Sequence, residues 1–213
     1  MSCRTPALGS CVFGGTYIDN PHVADDDPGM EPFKPSSTRA ALQAATDEIL
    51  DAAKGPDPLE RIRTALRAIT DRFHALGALV HEEDDDEVLL HASENLTIYH
   101  ITLSPGLQYP AHNHLMDALI GIYRGGETNF IYPDAADELQ APQRHDVVAP
   151  AVVHLPSDAV HSVANTGSAR SGALHVYLGD LPRTRRQLWG LPARRAEPFD
   201  NDRYLAGARP VGP

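Results

Sequence analysis

Two histidines one residue apart, with a third much further along the chain, are the most informative chemical feature of this sequence. His112 and His114 lie in PGLQYPAHNHLMDALIGIYRGG, and His161 lies in LPSDAVHSVANTG. Residues i and i+2 of a β-strand point to the same face, whereas on a helix they are about 200° apart. Neighbouring aromatic and apolar residues favour a strand over a helix. The spacing therefore predicts that His112 and His114 chelate one metal ion.

His161 is the predicted third ligand. It follows a turn centred on Pro156 and opens another β-type stretch, which a closing barrel can bring beside the first. Three imidazoles suit iron, zinc, copper or nickel, and a site with incomplete protein coordination is typical of catalysis. The alternative is that these residues are three of eleven scattered surface or core histidines. Asp117 is the nearby carboxylate that could add a ligand.

Composition narrows the range of partners. The chain has 213 residues, of which 42% are hydrophobic, enough for one main domain. Its net charge of −11 disfavours nucleic acid and anionic membranes as partners. Because the sequence has neither a long apolar run nor a convincing secretion signal, we expect a cytoplasmic protein without a membrane span. Cys3 and Cys11 are predicted to be bystanders, with a redox role as the alternative.

The N-terminal part predicts an irregular arm over residues 1–36, followed by a helical segment packed on the barrel over 37–80. A first helix is expected from Ser37 or Thr38 to Gly55, and a second from Pro58, capped by Asp57, to Gly77. The acidic run from His81 to Glu87 lacks the pattern of a calcium loop and predicts a solvated connector.

The remainder of the chain, residues 81–213, predicts a barrel with a C-terminal extension. Short β-branched or aromatic stretches are separated by turn residues at intervals near ten residues, a pattern typical of an antiparallel sandwich or barrel. The stretches are EVLLHA, LTIYHITL, DALIGIY, TNFIY, DVVAPAVVHL, HSVANT and ALHVYL. The fold class is therefore mainly β, preceded by two α-helices.

These motifs resemble those of the cupin superfamily. Gly106, the His-x-His pair and Gly125 or Gly126 match the first cupin motif in outline, and the segment from Pro156 through His161 to Asn165 matches the second. The resemblance spans about residues 88–180. It implies a double-stranded β-helix, or jelly-roll barrel, that holds the metal inside.

The chain departs from the general cupin pattern where a glutamate ligand is expected, since Ala118 or Leu119 stands there. The remaining three-histidine set resembles the cysteine dioxygenase and thiol dioxygenase group, together with related uncharacterised metal-dependent double-stranded β-helix proteins. The resemblance implies a mononuclear nonheme Fe(II) oxidoreductase, a dioxygenase that uses O₂ to oxidise a small-molecule thiol at sulfur.

The same resemblance points to two catalytic residues. That group has a Ser-x-His-x-Tyr motif beside the metal, and here His175 and Tyr177 match while Ala173 replaces the serine. Tyr177 is expected to donate a hydrogen bond to the oxygen species, with His175 holding Tyr177. Cross-strand packing is the alternative role for both.

Substrate recognition is left open by the sequence. The arginine that binds a substrate carboxylate in that group is missing upstream of the first motif. Arg124, Arg183, Arg185 or Arg186 could replace it by facing inward, or could be solvated charges. His100 and His154 could approach the pocket or be structural.

Two other classes of function fit the same ligand set. One is an oxygen-independent isomerase or lyase that uses Zn, Ni or Mn as a Lewis acid. The other is a noncatalytic metal-binding cupin, such as a sensor or storage module. The expected partners are a small-molecule substrate and O₂, and the expected state is a monomer or homodimer.

Overall fold

The fold is taken from a computed structural model, which describes residues 35–77, 87–133, 135, 138–190 and 195–212. The predicted N-terminal arm, except its last two residues, lies outside the described residues. So do Cys3, Cys11 and the acidic run before Glu87. The division of the chain into arm, helical segment and barrel stays a prediction.

Both predicted N-terminal helices are present. Helix α1 spans Pro35–Ala53 and helix α2 spans Pro58–Leu76. The first helix begins before Ser37 and Thr38, so the predicted cap at those positions is wrong; a proline suits a first turn because its missing N–H needs no partner there. In α2 the predicted ends are confirmed, with Asp57 at the N-cap and Gly77 at the C-cap.

The described strands follow the helices in chain order. They are β1 (Glu87–Ala92), β2 (Thr97–Leu103), β3 (Leu107–Gln108), β4 (Ala111–Asn113), β5 (Ala118–Arg124), β6 (Gly126–Tyr132), β7 (Gln143–Val148), β8 (Ala151–Leu155), β9 (Val160–Ala164), β10 (Ser171–Tyr177), β11 (Gln187–Trp189), β12 (Ala196–Pro198) and β13 (Arg209–Pro210). A short helix α3 (Asn201–Ala206) precedes the last strand.

One antiparallel sheet has the strand order β1-β2-β10-β5-β8. Its two faces differ because side chains alternate along each strand. On β5 and β10 one set packs with α1 and α2 in a common core that includes Leu119, Leu174 and Val176. The opposite set, which includes Ile120 and Ala173, packs in a separate cluster together with Tyr177. His175 alternates in step with Tyr177 and therefore shares its face.

The second sheet has the order β12-β11-β4-β9-β3-β13, with β6 pairing with both β7 and β9. Strands β4 and β9 are antiparallel neighbours, and their register puts His112 directly opposite His161. On the other side of β9, Ile131 of β6 is opposite His161. The pairing of β4 with β9 is therefore what joins the two motifs.

The mainly β, double-stranded β-helix fold with two preceding helices is confirmed. One predicted stretch, DVVAPAVVHL, is two strands, β7 and β8, which belong to different sheets. The break falls at Ala149-Pro150, because proline has no N–H for a ladder bond. None of the described helices is long and apolar enough to cross a membrane.

Candidate metal centre and its pocket

Three buried imidazoles converge on one point in the structure. His112, His114 and His161 are all buried, and each offers a ring nitrogen within 4.8 Å of the others. His112 and His114 approach through their Nε2 atoms, which are 3.1 Å apart. The structure thus brings together the three residues whose spacing suggested a metal site.

The outer nitrogens of two rings are held by protein acceptors. His112 Nδ1 lies 3.1 Å from the carbonyl oxygen of Pro110, and His161 Nδ1 lies 2.8 Å from Asn129 Oδ1. Each oxygen accepts a hydrogen bond from a protonated Nδ1, so in a neutral ring the free lone pair is on Nε2. His161 Nε2 is buried and has no hydrogen-bond partner among the described residues. Both rings are therefore set to present Nε2 to a common point.

Burial keeps these imidazoles neutral. Burial and, to a smaller extent, the positive charge of Arg186 together lower the pKa of His112 to about 3. Burial also lowers the pKa of His114 and His161 well below the usual value, with the neighbouring histidines adding to the effect. A histidine must be deprotonated at the coordinating nitrogen to bind a metal. At neutral pH the cluster is in the form that metal binding requires.

The residues fit a metal ion geometrically. With imidazole bonds of about 2.1 Å, two nitrogens 3.1 Å apart subtend about 95° at the ion. That angle is close to the right angle of two adjacent octahedral positions and below the tetrahedral value. The unpartnered Nε2 of His161 supplies the third donor. The site could therefore bind a metal, although imidazoles alone do not select which one.

A small cavity of about 50 Å³ adjoins the cluster. Its walls are mostly aliphatic and aromatic side chains: Tyr99, Ile101, Leu103, Tyr109, Val163, Leu181, Phe199 and Tyr204. His175 and Tyr177 also line it, and His175 Nδ1 lies 3.2 Å from the Tyr177 hydroxyl. Burial raises the pKa of Tyr177, so the phenol is neutral at physiological pH. The cavity is thus small and largely apolar, with a few polar groups beside the three histidines, as is typical of a small-molecule site.

A known protein family matches the part of the chain that carries the three histidines. The family model described as auxin-binding protein matches residues 75–182, just over half of the chain. The chain belongs to the auxin-binding protein family. Auxin-binding protein T92 of Nicotiana tabacum is 26% identical over 80 residues, which is 37% of this chain and 43% of that protein. The match thus spans less than half the length of the tobacco protein.

Solved structures of cupins also resemble the chain. A cupin family protein of Methanocaldococcus jannaschii with a double-stranded β-helix fold has a TM-score of 0.39 at 21% identity, covering 49% of this chain and 90% of its own. A cupin superfamily protein of Desulfitobacterium hafniense has a TM-score of 0.39 at 19% identity, covering 48% and 85%. Oxalate decarboxylase of Bacillus subtilis has 0.38 at 18%, covering 46% and 27%. Membership of the auxin-binding protein family rests on the family model, not on these structures.

Asp117, His154 and His100 have partners away from the cluster. Asp117 Oδ1 lies 2.7 Å from His154 Nε2, and both side chains are partly exposed. Asp117 is therefore occupied elsewhere and is not part of the three-histidine group. His100 is buried and lies 2.7 Å from the Tyr123 hydroxyl, a contact on the helix side of the first sheet.

Of the four candidate arginines, one lines the cavity and three do not. Arg183 is exposed and paired with Asp180, Arg185 is exposed, and Arg124 at the end of β5 does not line the cavity. Arg186 does line it, with its guanidinium carbon 3.4 Å from the centroid of the Phe199 ring. Of the four, Arg186 is thus the one whose position fits the inward-facing alternative, with its side chain half-buried.

Sequence reasoning missed several residues around the site. Asn129 orients His161, and Glu127, two residues before Asn129 on the same strand, is buried. Glu87 lines the cavity. Phe199 and Tyr204 reach the cavity from the C-terminal extension. The spacing of Glu127 and Asn129 in GETNFIY was a usable signal, because residues two apart in a strand share one face.

Proposed function

We propose that this chain is a mononuclear nonheme iron dioxygenase that oxidises a small-molecule thiol at sulfur. The observation that supports it is the cluster of His112, His114 and His161, neutral and buried, next to a cavity lined by Tyr177. Three neutral ligands leave the positive charge of a bound cation uncompensated, which favours an anionic partner such as a thiolate. The small cavity suits a small substrate.

The reaction is balanced without an external reductant. A thiolate and O₂ combine to a sulfinate, so that sulfur loses four electrons and the two oxygen atoms gain them. Bound Fe(II) would supply the redox chemistry that allows O₂ to react with the thiolate. The chain contributes the apolar walls that exclude bulk water and the Tyr177 hydroxyl, which His175 contacts within the barrel.

We assign recognition of an acidic group on the substrate to Arg186. It is the cationic side chain of the described cavity lining, and its position over the Phe199 ring holds it at the wall. A guanidinium binds a carboxylate through two parallel hydrogen bonds. Arg186→Gln is expected to raise the KM for thiols with a carboxylate by at least tenfold and to leave carboxylate-free aminothiols little changed. Arg185→Gln, exposed nearby, is the matched control.

The test of the proposed function begins with protein purified without oxygen in the presence of Fe(II). Bound metal is measured by mass spectrometry, and O₂ uptake is followed with a panel of carboxylate-bearing and carboxylate-free thiols. We expect one iron per chain and thiol-dependent uptake, both lost in His161→Ala and both retained in His154→Ala. Bound metal without uptake for any thiol would contradict the dioxygenase and favour an oxygen-independent isomerase or lyase with Zn, Ni or Mn.

A second candidate is a noncatalytic metal-binding cupin. It is supported by the family assignment and by the aromatic lining of the cavity, since the tobacco relative is named for binding auxin. Calorimetric titration of the Zn²⁺-loaded protein with auxin tests it. Binding that is lost with His161→Ala, together with no O₂ uptake, would favour this function over the dioxygenase.

A further inference from the structure

A buried glutamate faces the site from the second sheet. Glu127 lies on β6, its side chain has no exposed surface, and neither carboxylate oxygen has a hydrogen-bond partner among the described residues. An ionised carboxylate without a donor in an apolar interior costs several kcal/mol. The position therefore needs a specific partner.

That partner is on the opposite sheet. Oε1 of Glu127 lies 3.9 Å from Nε2 of His175, within ion-pair range but longer than a hydrogen bond. Nε2 of His175 is also buried and has no hydrogen-bond partner among the described residues. A side-chain shift of about 1 Å would give a charge-assisted hydrogen bond of ordinary length. One small adjustment thus gives a partner to Oε1 of Glu127 and to Nε2 of His175.

The other nitrogen of His175 leads to the cavity. Nδ1 of His175 lies 3.2 Å from the Tyr177 hydroxyl, and the ring of Tyr177 packs at 4.9 Å between centroids from His114. The side chains of Glu127, His175 and Tyr177 therefore form a line from the second sheet to the histidine cluster.

We propose that Glu127 is a positioning residue that accepts a hydrogen bond from Nε2 of His175 and thereby fixes the ring for Tyr177. In a neutral ring with the proton on Nε2, Nδ1 accepts a hydrogen bond from the Tyr177 hydroxyl, which has only one proton to donate. Tyr177 then offers lone pairs to the cavity and binds a donor group of the substrate. This reverses the direction expected from the sequence, in which Tyr177 donates.

The role given to Tyr177 rests on the proposed dioxygenase function, which the proposal deepens. The contact between Glu127 and His175, by contrast, requires neither metal nor substrate. The test is nitrogen NMR of the full-length chain labelled with ¹⁵N in its histidine rings, recorded as purified and again with a chelator. Comparison with His175→Gln assigns the His175 signals. A failure of the dioxygenase assay would leave this readout unchanged.

Two variants separate the possible roles. Glu127→Met removes the acceptor with little change of volume, and we expect the His175 proton to move from Nε2 to Nδ1 while the chain stays folded. Glu127→Gln keeps an acceptor oxygen and is expected to retain the proton on Nε2. Thr128→Val on the same strand removes a polar side chain bonded to Asp146 instead, and should leave the His175 signals as in the wild type.

The outcomes are decisive in both directions. A neutral wild-type His175 with its proton on Nε2, and with that proton lost from Nε2 in Glu127→Met, supports the proposal. It is overturned by a wild-type ring without a proton on Nε2, or by the same ring protonation in Glu127→Met and the wild type. Should Glu127→Met not fold, Glu127→Leu and Glu127→Ala carry the same comparison.

Discussion

The contact between Asn129 and His161 gives a quantitative prediction for metal binding. The bond from His161 Nδ1 to Asn129 Oδ1 is 2.8 Å long, and the two residues are 2% and 1% exposed. Asn129→Ala removes this acceptor, so the proton of the neutral ring is no longer held on Nδ1 and can occupy Nε2, the atom needed for the metal. Loss of such an outer partner typically costs 10–100-fold in metal affinity, which is about 1.4–2.7 kcal/mol.

The assay is calorimetric titration of metal-free protein with Zn²⁺, with a competing chelator to bring the affinity into range. We expect Asn129→Ala to bind 10–100-fold more weakly, and Asn129→Asp, which keeps an acceptor oxygen, to bind at least as well as Asn129→Ala. Circular dichroism at the titration temperature establishes that each variant is folded, because a buried donor left without a partner also lowers the free energy of unfolding by about 1–3 kcal/mol.

Asn165→Ala is the matched control. Asn165 is fully buried and bonds the carbonyl oxygens of Leu103 and Ala169, so its loss lowers stability without touching a histidine of the cluster. If folded Asn129→Ala binds Zn²⁺ as tightly as the wild type, the orientation argument is refuted. If Asn165→Ala weakens binding equally, general destabilisation explains the effect.

Two stability measurements follow from the same structure. Burial lowers the pKa of His112 from 6.5 to about 3, so between these pH values the unfolded chain holds a proton that the folded chain does not. The free energy of unfolding of the metal-free protein therefore falls by up to several kcal/mol as the pH drops through that window. The urea midpoint should decline less steeply with falling pH in His112→Gln than in the wild type, and equal slopes would argue against this cause. In Gly121→Ala the new Cβ would lie 2.6 Å from Thr70 Oγ1 and 2.8 Å from Leu66 Cδ1, costing about 1–3 kcal/mol. The control Gly190→Ala, whose Cβ would meet no atom of the described residues within 4 Å, should unfold near the wild-type midpoint.

Much of the local structure was predictable because it depends on neighbours in the chain. The Asp57-Pro58 start and Gly77 end of α2 need only capping chemistry. The strand character around His112 and His114 needs only the alternation of side chains. The same alternation predicts that His175 and Tyr177 share a face, as they do in the cavity lining.

Predictions at the C-terminal end were weaker for a physical reason. Strands β11 to β13 have two or three residues each, too few for a periodic pattern. Each pairs with the edge of another short strand, as when Leu188 of β11 pairs opposite His112 of β4. Phe199 and Tyr204 reach the cavity only through that packing.

What the sequence by itself determined was the chemistry available: three imidazoles at strand spacing, a neighbouring histidine and tyrosine, and an antiparallel β scaffold to carry them. What only the tertiary structure decided was which groups meet. The register of β4 with β9 puts His112 opposite His161, Asn129 contacts His161 from a third strand, and Glu127 faces His175 across the barrel. Such contacts join residues far apart in the chain, and no local propensity encodes the distance between them.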